Sequence, residues 1–318
     1  MHDRPKDEIR GCAMRWETRR KVAPWVAAVA VVALALPGPA LANGPPIQSE
    51  TAFTTGLNGA AVRSFARVMR RSGEGGEMTA FVVPVVVPYE AIDNRLVLGL
   101  GLPLLTKTLR MSDGTERSSG FGIGDLMLFG KVNLFQHDEH QETFRVAGKL
   151  GLTFPTGATR IADGTGRLPR PLQRGTGTVN PSVLLVATKL WRRFGLNADV
   201  GYTAYPEWGG VDRGDVLNYD VAASFRVLPW VFRSFPDHQL NIMLELNGAW
   251  QGSTYANDVE DPSSGGHILF VSPGLQYIYD TVLVEASFQV PVPGATSLAG
   301  DQLTPDWTAL AGVRWLID

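Results

Sequence analysis

The sequence predicts an all-β protein: a single antiparallel transmembrane β-barrel of about twelve strands, preceded by a cleaved signal peptide. Three observations lead there. An export signal opens the chain, a period-two alternation runs through segments near ten residues long, and the connections between those segments alternate short with long.

The signal comes first. Arg15, Arg19, Arg20 and Lys21 form a positive cluster, and an apolar run follows from Val22 to Leu36. Pro37 and Gly38 break it, and Ala40-Leu41-Ala42 supplies the small-x-small pattern of a signal peptidase site. The run is shorter than the roughly 20 residues needed to span a bilayer. Residues 1–42 are therefore expected to be a signal cleaved after Ala42, with a retained anchor as the alternative. Met14 suits the start of such a signal as well as Met1 does. Cys12 is the only cysteine of the 318 residues and leaves with the signal. No disulfide framework, thiol nucleophile or thiolate metal site is then expected in the mature chain. The formal net charge of −2 becomes more acidic once the basic signal is removed, which argues against nucleic acid as a partner.

Periodicity carries the next step. In 143–154, Phe144, Val146, Leu150, Leu152 and Phe154 share one parity, while Arg145 and Lys149 share the other. Side chains two apart lie on one face of a strand. The same alternation recurs in 194–205, 215–227, 239–250 and 281–291. Less clean candidates at 61–69, 78–89, 94–105, 121–134, 178–190, 267–279 and 306–317 complete the set; 61–69, 78–89, 94–105, 178–190 and 267–279 are the weaker ones, with apolar residues on both faces. Domain boundaries follow: 1–42 signal, 43–60 an N-terminal periplasmic segment, 61–318 the barrel.

The connections alternate in length. Links at 90–93, 136–142, 191–193 and around Asp280 are short and 228–238 is intermediate. Those at 70–77, 106–120, 155–177, 206–214, 251–266 and 292–305 are longer and rich in Gly, Pro, Asp, Ser and Thr. Short periplasmic turns with longer outer loops are the pattern of a membrane barrel. A soluble sandwich shares the alternation, but its strands have a mode of about 5–6 residues, against roughly 9–11 for a tilted membrane strand. Aromatics near segment ends, such as Trp191, Phe194, Tyr202, Trp250, Tyr277, Tyr279, Trp307 and Trp315, suit interfacial girdles. The final segment, Gly312 to Ile317 before Asp318, looks like the C-terminal signal read by barrel assembly machinery, although Asp318 stands where an aromatic is usual.

The polar parity of these strands would line the lumen. It supplies Asp125, Lys131, Arg145, Lys149, Asp199, Asp220, Arg226, Glu245, Glu285 and Arg314 as solute-path candidates. Asp125 and Lys131 are expected to be neighbours along one wall. The competing reading makes these charges an internal ion-pair lattice that only stabilises the wall, since buried charges are usually paired. The glycines of "GFGIGDLMLFGKVNLF", 120–135, resemble a phosphate-binding turn, but that motif needs a helix after it and a strand follows instead. His137 and His140 are read as exposed turn residues rather than metal ligands, because their spacing fits no closed zinc pattern. A G-x-S-x-G elbow is absent, and no enzyme, cofactor or metal is expected. The loop 155–177, with Arg160, Arg167, Arg170 and Arg174, could fold into the pore, bind lipopolysaccharide phosphates, or remain a mobile outer loop.

Three motifs in order, "GFGIGDLMLFGKVNLF", "KLGLTFPTG" and "GTGTVNPSVLLVATKLW", resemble the MetA-pathway of phenol degradation family of outer-membrane proteins. The likeness runs from about Arg63 to the C-terminus. It implies a barrel in the outer membrane of a Gram-negative bacterium that passes aromatic or other hydrophobic compounds, and it brings no binding residues with it. The resulting expectation is a passive channel for small solutes. Outer-membrane lipid, lipopolysaccharide and the barrel assembly machinery are its expected partners. A non-transporting barrel closed by ion pairs is the alternative.

Overall fold

The structure is a computed structural model in which residues 44–55, 59–231 and 238–317 are described. The expected signal peptide, with its cleavage site, falls outside them. Twelve long antiparallel strands, 10 to 17 residues each, form the barrel among the described residues. They are β1 (Ala60–Gly73), β2 (Gly76–Ile92), β3 (Leu96–Met111), β4 (Leu126–Glu139), β5 (Glu142–Phe154) and β6 (Asn180–Trp191). The second half comprises β7 (Phe194–Thr203), β8 (Val216–Leu228), β9 (Gln239–Gln251), β10 (Gly266–Tyr279), β11 (Val282–Pro291) and β12 (Thr304–Ile317). Each pairs with its sequence neighbours, and β1 pairs with β12 from Ala60↔Ile317 to Ser72↔Thr304, which closes the sheet.

Four hairpins at one end are tight, and each carries a residue with positive φ: Asn94, Gln141, Arg192 and Asp280. A left-handed residue lets a two- or three-residue turn follow the twist of its strands. The opposite end carries the long connections, apart from the β1–β2 hairpin, which is shorter than expected and turns at Glu74-Gly75. These are the turn end and the loop end.

Polarity is inverted relative to a soluble sheet. Along β9, Gln239, Asn241, Met243 and Glu245 are buried, while Ile242, Leu244 and Leu246 are exposed. Leu128, Leu150, Leu152, Val183 and Leu185 are likewise exposed on the outside. A closed sheet with an apolar exterior and a polar interior suits hydrocarbon, where every backbone N–H and C=O must be paired within the protein. Aromatic groups mark both rims. Trp191 stacks on Phe194, which meets Phe225 at a tilt, at the turn end, and Phe288 stacks on Trp307 at the loop end.

The fourth strand departs from expectation. It starts at Leu126, not near 121, and runs on to Glu139, so the link to β5 is shorter than predicted. Thr156 explains the start: its hydroxyl accepts from Leu126 N at 2.9 Å and donates to Gly124 O at 2.8 Å, which turns the chain there. Gly122 and Ile123 form a separate short ladder on β3. A Cβ at Gly122 would sit 2.8 Å from the Arg174 guanidinium, and one at Gly124 would meet Leu105 and Pro103 at under 3 Å. These glycines serve close packing under an arginine.

The outward face generates a prediction. Leu185 lies mid-strand in β6 and is 49% exposed. Leu185→Arg should lower unfolding free energy in lipid bilayers by about 2–4 kcal/mol, with Leu185→Ile near neutral, as read by urea titration of heat-modifiable gel migration. Equal stability of the two variants would contradict a lipid-facing position.

Candidate functional site

The lumen is crossed by the chain's own N-terminal segment. Of the stretch 43–60, expected as a periplasmic segment, residues 44–55 run inside the barrel, and Ala60 already belongs to β1. Residues 44–55 enter near the turn end, rise to mid-barrel and descend again, forming an arch. Gln276 donates to Pro45 O at 2.9 Å, and Arg314 to Pro46 O at 2.6 Å. At the top, Ile47 N and Ser49 N each donate to the Glu245 carboxylate at 2.8 Å, with Gln48 N at 3.1 Å and the Ser49 hydroxyl at 2.5 Å. Successive backbone N–H groups converging on one fully buried carboxylate supply the hydrogen bonds that make its burial tolerable. Ile47 adds a sizeable apolar anchor, packed among Met243, Leu310 and Phe65.

The arch then crosses to the opposite wall. Glu50 N donates to Asp199 at 2.9 Å, and the Glu50 carboxylate accepts from Lys149 at 2.6 Å and Lys131 at 3.4 Å. Lys131 and Lys149 are direct cross-strand partners, so their like charges need an anion between them. Glu50 provides it. Burial would raise the Glu50 pKa, but Lys149 and Lys131 outweigh this and hold it well below the ordinary carboxylate range. A depressed carboxylate contributes fully above its unfolded value and loses the contribution as pH falls toward the folded one. Lys131 also donates to Thr51 O and Phe53 O at 3.1 and 2.6 Å. On the way down, Ala52 N donates to Thr188 at 2.9 Å, and the Phe53 ring lies 4.8 Å from the Arg145 guanidinium.

The predicted site residues divide accordingly. Glu245, Asp199, Lys131, Lys149, Arg145 and Arg314 all contact the arch. Glu285 sits between Arg63 and Arg314, at 2.7 and 2.9 Å, in a buried Arg–Glu–Arg triad beneath it. Asp220 faces Asp199 across the β7–β8 ladder and accepts from Asn247 at 2.9 Å. Arg226 lies lower, near the turn end of β8. Asp125 is not a wall neighbour of Lys131. It precedes β4 and accepts from Gly157 N, Thr176 N and the Thr176 hydroxyl at 2.6–2.9 Å, tying the two ends of loop 155–177 together. That loop folds over the mouth: Leu168, Leu172 and Gln173 are buried, and Lys107 donates to Gln173 O at 2.7 Å.

Sequence reasoning missed Glu50, Arg63, Gln276 and Thr188. Arg63, Phe65 and Arg67 share one parity in β1, and that parity was the available signal. Between arch and wall remains a cavity of about 360 Å³, lined by residues that include Gln48, Glu50, Arg63, Asp199, Asp220 and Arg314. Among the described residues no group of three His, Cys, Asp or Glu side chains could hold a metal. His137 is exposed and pairs with Glu139 at 3.0 Å.

Two measurements test the docking. Ala52 is 0% exposed, so Ala52→Cys in a Cys12→Ala background should resist maleimide. Adding Glu245→Gln should weaken docking by about 1.5–3 kcal/mol and bring on labelling. An unchanged labelling rate would mean that Glu245 does not hold the arch. The same Ala52→Cys reporter should stay unlabelled at about pH 5 as at pH 7, because Glu50 keeps its charge there; labelling that rises on this step would contradict the lysine clamp.

Comparison with known proteins agrees with the architecture. The family described as "Putative MetA-pathway of phenol degradation" matches residues 46–304. No curated protein matches the chain. Among solved structures, the chain is similar to the COG4313 outer membrane channel from Pseudomonas putida F1. The TM-score is 0.68 at 11% identity, covering 86% of this chain and 100% of that one. The β domain of the Bordetella autotransporter BrkA matches with a TM-score of 0.46 at 10% identity, over 81% of this chain and 99% of that one. No catalytic family is indicated by these matches. The chain is a member of the MetA-pathway of phenol degradation family, folded as a twelve-stranded outer-membrane β-barrel.

Proposed function

We propose that the protein is a channel for passive passage of small aromatic or hydrophobic solutes, with the arch 44–55 closing its lumen. One observation carries this reading. The lumen is filled by a separable segment, held through backbone hydrogen bonds and ion pairs, and not by wall side chains meeting in a packed core. A segment so held can leave without unfolding the barrel, whose ladders close independently of it. Support for apolar cargo comes from the inner wall of β1 to β3. Phe65, Met69, Val82, Pro84, Val97 and Leu105 share the lumen parity there, and Pro84 faces Pro103 across the ladder. The Pseudomonas putida barrel to which the fold is similar bears the name of an outer membrane channel.

The tight-turn end would then face the periplasm and the long loops the outside, where their arginines meet lipopolysaccharide phosphates. Val313, Trp315 and Ile317 point outward along β12 and suit recognition by the assembly machinery. The second reading, a structural barrel with a permanently closed lumen, draws on the Arg63–Glu285–Arg314 triad and on the arch itself.

Planar-bilayer recordings separate the two. Deleting 44–55 should raise single-channel conductance several-fold over the intact chain and speed the uptake of phenol into liposomes. A deletion variant that folds, migrates heat-modifiably and shows neither current nor uptake would remove the channel reading.

A further inference from the structure

The charges of the lumen are distributed unevenly. Around and below the arch, cations have carboxylates: Arg63 and Arg314 share Glu285, Lys131 and Lys149 share Glu50, and Arg145 has Asp138 at 3.3 Å. Above the arch the balance fails. Arg67, Arg71 and Lys107 point inward from β1 and β3, and Arg213 comes from the loop before β8. By register Met69, Ala80 and Lys107 lie side by side across β1, β2 and β3, which sets Lys107 at a level between Arg67 and Arg71. Among the described residues, none of these four cations forms an ion pair. Asp125, the carboxylate just before β4, has its oxygens already taken by Gly157 and Thr176.

Partial contacts show how the cations are held. Lys107 donates to the Gln173 carbonyl at 2.7 Å, and Arg67 donates to the Gln48 side chain at 2.7 Å. The Arg67 Nε is buried with no hydrogen-bond partner. The Arg213 guanidinium lies 5.4 Å from the Tyr205 ring. Gathering like charges away from bulk water is costly unless an anion joins them. Met69 lies between Arg67 and Arg71 on the same parity of β1, and buried Leu105 stands beside Lys107 on β3, so the cations are interleaved with apolar wall.

We propose that this vestibule, between the arch and the loop 155–177, binds a small organic carboxylate. The carboxylate lies between Arg71 and Lys107, and the apolar body rests against Met69 and Leu105. The vestibule deepens the channel reading, on which its role as a capture point for solute rests, and it makes the favoured cargo anionic at one end. Binding itself does not depend on passage.

Calorimetric titration of the full barrel in non-ionic detergent at low salt tests this with sodium benzoate, benzyl alcohol and inorganic phosphate as probes. Benzoate should bind, with benzyl alcohol and phosphate each at least about tenfold weaker, since one lacks the charge and the other the apolar body. Benzoate affinity should fall with added salt and drop about tenfold in Arg71→Gln/Lys107→Gln, whose folding is checked by heat-modifiable migration. Equal affinity for benzoate and benzyl alcohol would overturn the cationic site, and phosphate binding as tightly as benzoate would overturn the organic one. Benzoate binding by the full barrel, with neither current nor uptake in the 44–55 deletion variant, would keep the site and remove the channel; current in that variant without benzoate binding by the full barrel would do the reverse.

Discussion

Closure of β1 against β12 is the constraint on which everything else rests. In hydrocarbon an unpaired strand edge leaves a row of N–H and C=O groups, each costing several kcal/mol. The ladder from Ala60↔Ile317 to Ser72↔Thr304 removes that edge. Once the sheet is closed, the alternation of side chains has only two destinations. One parity meets lipid and must be apolar; the other faces a lumen too narrow to be bulk water and too wide for the wall side chains to fill. The polar parity is therefore left with charges to satisfy.

The arch answers that need from within the chain. Peptide groups are the right partners because they offer both signs. The N–H groups of Ile47, Gln48 and Ser49 serve Glu245, while the carbonyls of Pro45, Pro46 and Ile47 serve Gln276, Arg314 and Arg63. Glu50 resolves the repulsion between Lys131 and Lys149. Most of these contacts are local and polar, so the arch can be exchanged for water and solute at moderate cost. A packed hydrophobic core would not be exchanged in that way. The same logic makes the unpaired cations near the loop end conspicuous, since no part of the arch reaches up to neutralise them.

Much of the barrel was legible in the sequence, because closure imposes the period of two. β5, β7, β8, β9 and β11 show it cleanly, with lipid on one side and polar lumen on the other. β1, β2 and β3 were harder to read, and the structure shows why: their inner wall is also apolar, with Phe65, Met69, Val82, Pro84 and Leu105, so the alternation flattens. The stretch 120–125 misled for a different reason. Its glycines continue the β pattern in sequence, but the chain leaves the ladder at Gly124 to let Thr156 and Arg174 approach. Asp125 consequently anchors a loop when periodicity alone would have it line the wall. The arch was not legible at all. Residues 44–55 have no periodicity, and most of their contacts run through backbone atoms, which every residue type carries.

The central claim is that this segment sits docked inside a membrane barrel, and one cross-link tests it most directly. The hydroxyls of Thr51 and Thr188 lie 3.3 Å apart, one on the arch and one on the wall. Thr51→Cys and Thr188→Cys, combined with Cys12→Ala, should oxidise to a disulfide in intact outer membranes, since their side chains already meet. The oxidised barrel should hold a steady low conductance, and reduction should restore openings. Failure of the bond to form in correctly folded barrels, or full conductance while it is intact, would contradict the account.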